Sequence, residues 1–154
     1  MKQQNNKGFT IIEVMIVLAI AALILVVVLV AIPQLQRNQR NQARQNVASR
    51  VMTELSNYAG NNNGQFPNSE TELDEEFVAR YMSGVSYEDP LTGDNYELVF
   101  GEEEPDLDGS EMGYNIGSQC SGENVEDAPA GGNRQIALIV ELEPGNIYFC
   151  VDNQ

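Results

Sequence analysis

The sequence predicts an α+β fold in which a long N-terminal α-helix, half transmembrane and half amphipathic, packs on a small antiparallel sheet. Two observations predict it: an apolar run of transmembrane length near the N-terminus, and short strand-like segments in the second half of the chain. We expect four regions, namely a leader at 1–8, a membrane helix at 9–32, its amphipathic continuation at 33–60, and an acidic globular head at 61–154.

The apolar run predicts the membrane helix. Val14–Ile32 contains 19 residues without a charge, which exceeds the roughly 18 that indicate a membrane span. Residues 9–32 would be about 36 Å long as a helix, enough to cross a hydrocarbon core of about 30 Å. Because this surface cannot stay exposed to water, it must be covered by lipid or by identical helices from other copies.

Charge is divided sharply along the chain. The first fifty residues carry six cations and one anion, a net +5, whereas residues 51–154 carry two arginines and 22 acids, a net −20, which together give the −15 of the whole chain. An acidic head repels the phosphates of nucleic acids. Direct DNA binding by the head is therefore not expected.

The N-terminal junction carries the most specific pattern. It joins a basic leader, a glycine, an aromatic residue and a glutamate four residues further on, and it runs directly into the apolar span without an A-x-A site after that span. The segment reads Lys7-Gly8-Phe9-Thr10-Ile11-Ile12-Glu13-Val14-Met15-Ile16-Val17. It closely resembles the class III leader junction of type IV prepilins. The resemblance implies that a prepilin peptidase cleaves between Gly8 and Phe9 and methylates the new amino terminus of Phe9.

Glu13 is the one charge inside the span. A carboxylate near the centre of a membrane helix costs about 2.5–3.5 kcal/mol, and somewhat less near its end. It needs a cation, and the nearest candidate is the amino group that cleavage would expose on Phe9, in the same chain or in a neighbour. In related pilins this glutamate pairs with the terminal amine of an adjacent subunit, so the resemblance implies an assembly role for Glu13. The alternative is an ordinary membrane anchor with a glutamate at its helix end.

A proline and a set of arginines follow the span. Pro33 predicts a kink or a locally melted stretch near Leu29–Pro33. Arg37, Arg40 and Arg44, at i, i+3 and i+7, predict a basic stripe. Three interpretations of that stripe stay open: binding to anionic lipid headgroups before assembly, pairing with acidic heads of neighbouring subunits, or a solvated helix face.

Helical periodicity continues into the head. Val47, Val51, Leu55 and Tyr58 recur at helical spacing and predict the face that meets the sheet, and residues 60–64 predict the helix end. A short helix is expected near Glu70–Met82, with Leu73, Phe77 and Tyr81 on one side.

Strand-like segments follow that short helix. The candidate strands are Tyr96–Phe100, Met112–Gly117, Arg134–Leu142 and Asn146–Val151, and the expected acidic loops are Gly101–Gly109 and Ser118–Gly132. The segment from Asp89 to Gly93, together with Tyr96, resembles the loop that leads into the first strand of pilins.

The two cysteines, Cys120 and Cys150, lie in the head. If the head is exported, a disulfide is the natural interpretation, and it would add roughly 3–4 kcal/mol in the chain-entropy model. The pattern resembles the C-terminal disulfide loop of pilins. The alternative is two free buried thiols.

The sequence contains no recognisable catalytic constellation: histidine is absent, as are the P-loop and G-x-S-x-G patterns. We therefore predict no enzymatic activity and no cofactor. A weak calcium candidate is formed by Glu104, Asp106 and Asp108, but Glu replaces the leading Asp and Asn115 stands where a bidentate Glu belongs. A solvated loop is the preferred interpretation.

The resemblance implies a structural subunit of a type IV pilus, inserted as a single-pass precursor in a bacterial cytoplasmic membrane and assembled into an extracellular filament. The implied partners are other copies of itself, a prepilin peptidase, pilus assembly platform proteins and, before assembly, membrane lipid. The alternatives are a minor pilin or a type II secretion pseudopilin and, from another class, a membrane-anchored extracellular binding domain that does not polymerise.

Overall fold

A computed structural model of the protein describes residues 8–106, 110–129, 132 and 134–154. The chain divides into two compact units, Met1–Gln36 and Arg37–Gln154. The first helix, α1 (Ile11–Asn61), is 51 residues long and extends through both units. It runs through Pro33 without interruption, so the melted stretch predicted near Leu29–Pro33 is not observed. One proline removes a single backbone donor, and the surrounding helical hydrogen bonds persist.

The end of α1 follows from its last residues. Asn63 and Gly64 adopt positive φ angles of 58° and 75°, and the Gly64 N–H donates to the Ala59 carbonyl at 2.7 Å. This left-handed termination is the one predicted from the residues at 60–64. After it come a π-helical segment (Glu72–Val78) and the single turn α2 (Ala79–Tyr81), which together confirm the short helix predicted near Glu70–Met82.

Six strands follow in the described part of the chain: β1 (Glu97–Phe100), β2 (Glu111–Ile116), β3 (Ser118–Ser121), β4 (Asn124–Asp127), β5 (Ile136–Leu142) and β6 (Ile147–Asp152). The main sheet has the order β1-β2-β5-β6, and β3 and β4 form a separate hairpin. The β2–β5 and β5–β6 pairs are antiparallel. The α+β class is thus confirmed.

Two details of the sheet differ from the prediction. The β1–β2 pair is parallel, and two parallel strands cannot be joined by the tight turn of a hairpin. The segment Ser118–Gly132, expected as a loop, contains the β3–β4 hairpin. Its strands are four residues long and mostly polar, so they lack the apolar alternation that signals a strand.

The core of the second unit lies between the C-terminal half of α1 and the main sheet. The predicted α1 face is buried, with Val51 and Leu55 completely inaccessible. The sheet contributes Met112, Tyr114 and Leu138 to the same cluster, and Phe77 joins it from the π-helical segment. The central strand β5 is buried on both faces, which explains its continuous apolar sequence.

Candidate processing and assembly site

The Gly8–Phe9 peptide lies just before α1, in backbone without helical or strand structure. Phe9 is 89% exposed, and apart from the adjacent residues no atom of the described chain lies within 4 Å of where a Gly8 side chain would begin. A peptide bond outside a helix and free of neighbouring atoms is open to a peptidase, because no hydrogen-bonded turn has to unwind first.

Glu13 caps the start of α1. Its Oε2 accepts hydrogen bonds from the Thr10 backbone N–H and the Thr10 hydroxyl, both at 2.8 Å, and the Glu13 N–H donates to the Thr10 hydroxyl at 3.4 Å. This reciprocal arrangement is a capping box. We did not expect this capping box from the sequence, although the Thr10-x-x-Glu13 spacing is its signal. Among the described residues no hydrogen bond reaches Oε1 of Glu13.

The apolar surface of α1 is uncovered in the first unit. All residues of α1 that are buried lie between Arg44 and Ala59, whereas apolar side chains from Phe9 to Leu35 are exposed. In the part of the chain that the structure describes, α1 is the one helix long and apolar enough to cross a membrane, with a mean hydropathy of 3.5 in its most apolar window.

Comparison with known families identifies the same segment. Residues 3–29 match the family described as the prokaryotic N-terminal methylation motif. The chain carries a prokaryotic N-terminal methylation motif. This motif is the class III leader of type IV pilins, so it supports a prepilin of the pilin and pseudopilin type. No curated protein and no solved structure is significantly similar to the chain.

C-terminal to the methylation motif, the arginines of the predicted stripe have different surroundings in the structure. Arg44 is completely buried, with its Nε 2.8 Å from Oδ2 of Asp89 and its Nη1 donating to the Glu141 carbonyl at 3.3 Å. Arg40 forms a two-pronged pair with Glu143 at 2.5 and 2.6 Å. The interpretation of all three arginines as a surface stripe is therefore wrong for Arg44, because its guanidinium is needed as the counterion of a buried carboxylate.

Asp89 is the centre of that buried network. Besides Arg44 it accepts hydrogen bonds from the Tyr96 hydroxyl at 2.5 Å and from the Leu91 and Thr92 backbone N–H groups at 2.7 and 3.2 Å. Burial alone would raise the pKa of Asp89, but the hydrogen bonds from Tyr96, Leu91 and Arg44 outweigh it and lower that pKa below its ordinary value. The loop leading into β1 is thereby fastened to α1.

The remaining predicted sites have separate surroundings. Cys120 in β3 and Cys150 in β6 are joined by a disulfide with a Cα–Cα distance of 5.7 Å, so the predicted pairing is present, and it fastens the β3–β4 hairpin to the main sheet. Of the calcium candidates, Glu104 and Asp106 are exposed, while Asp108 lies outside the described residues. Within the described ranges, no group of three or more His, Cys, Asp or Glu side chains could hold a metal ion.

Proposed function

We propose that the chain is the precursor of a type IV pilus subunit. In this proposal it enters the cytoplasmic membrane through residues 9–32, a prepilin peptidase cleaves it between Gly8 and Phe9 and methylates Phe9, and the mature chain polymerises into a surface filament. The observation that carries the proposal is the uncovered apolar surface of α1, most of which lies within the methylation motif. A helix that is stable in lipid and that also packs against copies of itself can hold the precursor in the membrane and later form the core of the filament.

Each region has a role in this proposal. Residues 1–8 are the removable leader, residues 9–32 the transmembrane and assembly helix, residues 33–60 the continuation that carries the head, and residues 61–154 the exposed acidic head. Pilus assembly platform proteins would extract the subunit from the membrane. The folded head with its disulfide suits an extracellular location, where a disulfide persists.

Glu13 would pair with the methylated amino group of Phe9 in an adjacent subunit. Its Oε2 is used by the capping box, whereas its Oε1 accepts no hydrogen bond from the described residues. In an apolar environment a carboxylate and an ammonium attract strongly, because little solvent screens them. This pairing would fix the axial position of an incoming subunit against its neighbour.

A charge-removing variant tests this role. Glu13→Gln keeps the shape and can accept the capping hydrogen bonds, but it cannot pair as an ion. We expect processing at Gly8 to continue and the yield of sheared filaments to fall by roughly tenfold or more, the effect of about 1.4 kcal/mol. Glu123→Gln, at an exposed residue in the β3–β4 turn, is the control and should leave both unchanged. Normal filament yield from Glu13→Gln would exclude the assembly role.

Minor pilins and type II secretion pseudopilins share the methylation motif and the same membrane helix, and they differ in abundance and partners. Quantification of the chain in sheared filaments distinguishes them. A major pilin would be the dominant protein of the filament, whereas a chain that is scarce there and abundant in the inner membrane would be a minor pilin or a pseudopilin. A membrane-anchored domain that does not polymerise would show no cleavage at Gly8.

A further inference from the structure

The three arginines that begin the second unit differ in how their charges are satisfied. Arg44 is bound to the buried Asp89 and Arg40 to Glu143 within the same chain. Arg37 is exposed, and its guanidinium has no hydrogen bond or ion pair to any residue in the described ranges. Its charge acts on Glu143 only through space and helps to lower the pKa of that carboxyl, so among the three arginines Arg37 has the guanidinium most open to a molecule outside the chain.

The charge of the second unit decides which molecule that is. Residues 37–154 contain six arginines and 22 acids, a net −16. Without the Arg40–Glu143 and Arg44–Asp89 pairs, four arginines and 20 acids remain, so the excess of negative charge is still 16. Copies brought close together repel each other except where an arginine meets a carboxylate.

The position of Arg37 favours contact with another copy. Arg37 follows Leu35, the last exposed large apolar side chain of α1, by two residues, or about 3 Å along the helix axis. When the apolar surfaces of several copies cover one another, the edge of that contact falls at Arg37. The second unit of a neighbouring copy has 22 acids against six arginines, so the charged groups that it can offer to Arg37 are mainly carboxylates.

We propose that Arg37 of one subunit binds a carboxylate on the acidic head of a neighbouring subunit in the filament. This inference rests on the proposed function and names a contact within it. The contact offsets part of the electrostatic repulsion between neighbouring heads. Because the pair lies at the surface of each subunit, its contribution to filament stability should weaken as the salt concentration rises.

The composition of the mature chain allows a direct test. Its two lysines, Lys2 and Lys7, both lie in the leader, so Arg37→Lys gives a mature chain with a single lysine. A carbodiimide joins a lysine amine only to a carboxylate in direct contact. Arg50→Lys is the matched control, because Arg50 is exposed on the same helix but its Nη1 donates to the Ser86 carbonyl.

The cross-linked filaments are digested and the peptides that contain the new lysine are identified. We expect covalent dimers and longer oligomers in which the lysine at residue 37 of one subunit is joined to an Asp or Glu in the head of another. Because an ion pair holds the two groups within about 4 Å, the yield of these cross-links should be roughly fivefold higher for Arg37→Lys than for Arg50→Lys. Wild-type filaments give the background from the terminal amine. Filaments in which residue 37 forms no such link would overturn the inference and leave the proposed function intact, whereas a wild-type chain that forms no filaments would defeat the proposed function.

A charge reversal covers the case in which Arg37→Lys fails to assemble. Arg37→Glu should lower filament yield roughly tenfold at low salt and recover part of it near 0.5 M NaCl, where the Debye length falls to about 4 Å. Processing at Gly8 should be unaffected. If Arg37→Glu gives as many filaments as wild type, the subunit contact is contradicted. It is also contradicted if the only change is a smaller amount of precursor in the membrane fraction, and that result would indicate that Arg37 binds lipid headgroups instead.

Discussion

The two halves of α1 belong to one continuous helix, yet they are covered in opposite ways. Residues 44–59 bury one face against the sheet, whereas the apolar side chains before residue 36 are left exposed by the residues that the structure describes. The first half is apolar on all sides and the second on one side only. The chain therefore stabilises its own C-terminal half of the helix and leaves the N-terminal half to be covered from outside.

Removal of the buried cation should have the largest effect on stability. Arg44→Ala leaves Asp89 buried without its counterion, and the loss of one partner of a buried pair costs roughly 3–5 kcal/mol. Urea unfolding of the full chain in detergent measures this. Arg50→Ala, at an exposed position of the same helix, removes one exposed hydrogen bond to the Ser86 carbonyl and should change the free energy of unfolding by about 1 kcal/mol or less. Equal effects of the two substitutions would contradict the network around Asp89.

A pair of leucine truncations compares the two halves directly. Leu55 is completely buried and Leu25 is 59% exposed. Leu55→Ala should lower the free energy of unfolding of the head by roughly 2–5 kcal/mol, since it creates a cavity. Leu25→Ala should leave that free energy unchanged and act only on filament yield. A loss of head stability from Leu25→Ala would show that the N-terminal half is covered within the chain.

The disulfide should matter somewhat less than these core groups. Replacement of Cys120 and Cys150 by Ala together should cost roughly 2–4 kcal/mol, because the unfolded chain gains freedom. The main sheet and α1 should keep their structure, and amide hydrogen exchange should rise chiefly in the β3–β4 hairpin. Unchanged exchange in that hairpin would mean that the bridge is not what holds it to β6.

The smallest effect is expected at the partly exposed Arg40–Glu143 pair. The hydrogen bond from Arg40 outweighs partial burial and lowers the pKa of Glu143 below its ordinary value. Because the pKa of Glu143 is lower in the folded state, its ionised form stabilises the fold at pH values above the ordinary glutamate pKa of about 4.3. That contribution is lost as the pH falls through the folded-state pKa. The difference in Tm between wild type and Glu143→Gln should thus be positive at pH 7 and shrink as the pH falls below the ordinary pKa of a glutamate. A constant difference would exclude the titration.

Local patterns predicted most of the fold. The α1 face at Val47–Tyr58, the helix end at residues 60–64 and the four main strands all follow from spacing and turn chemistry. The β3–β4 hairpin was missed because short polar strands carry no such signal and are held by the disulfide instead. The parallel direction of the β1–β2 pair was not predicted because residue types alone do not specify which way two paired strands run.

The candidate sites were predictable to different degrees. The junction at Gly8 and Phe9 is a linear motif and was visible in the sequence. The partners of Arg40 and Arg44 were not, because Glu143 and Asp89 are 103 and 45 residues away along the chain. The sequence shows that these arginines share a helix face, and only the folded head determines that two of the three form ion pairs within the chain.

The central claim is that the uncovered half of α1 becomes the core of a filament after removal of the leader. Intact-mass measurement and N-terminal sequencing of the native protein from sheared surface filaments test it most directly. We predict a chain of 146 residues that starts at an N-methylated Phe9, that is, the 154-residue chain without its first eight. A chain that still starts at Met1, or one that is absent from filaments, would contradict the account.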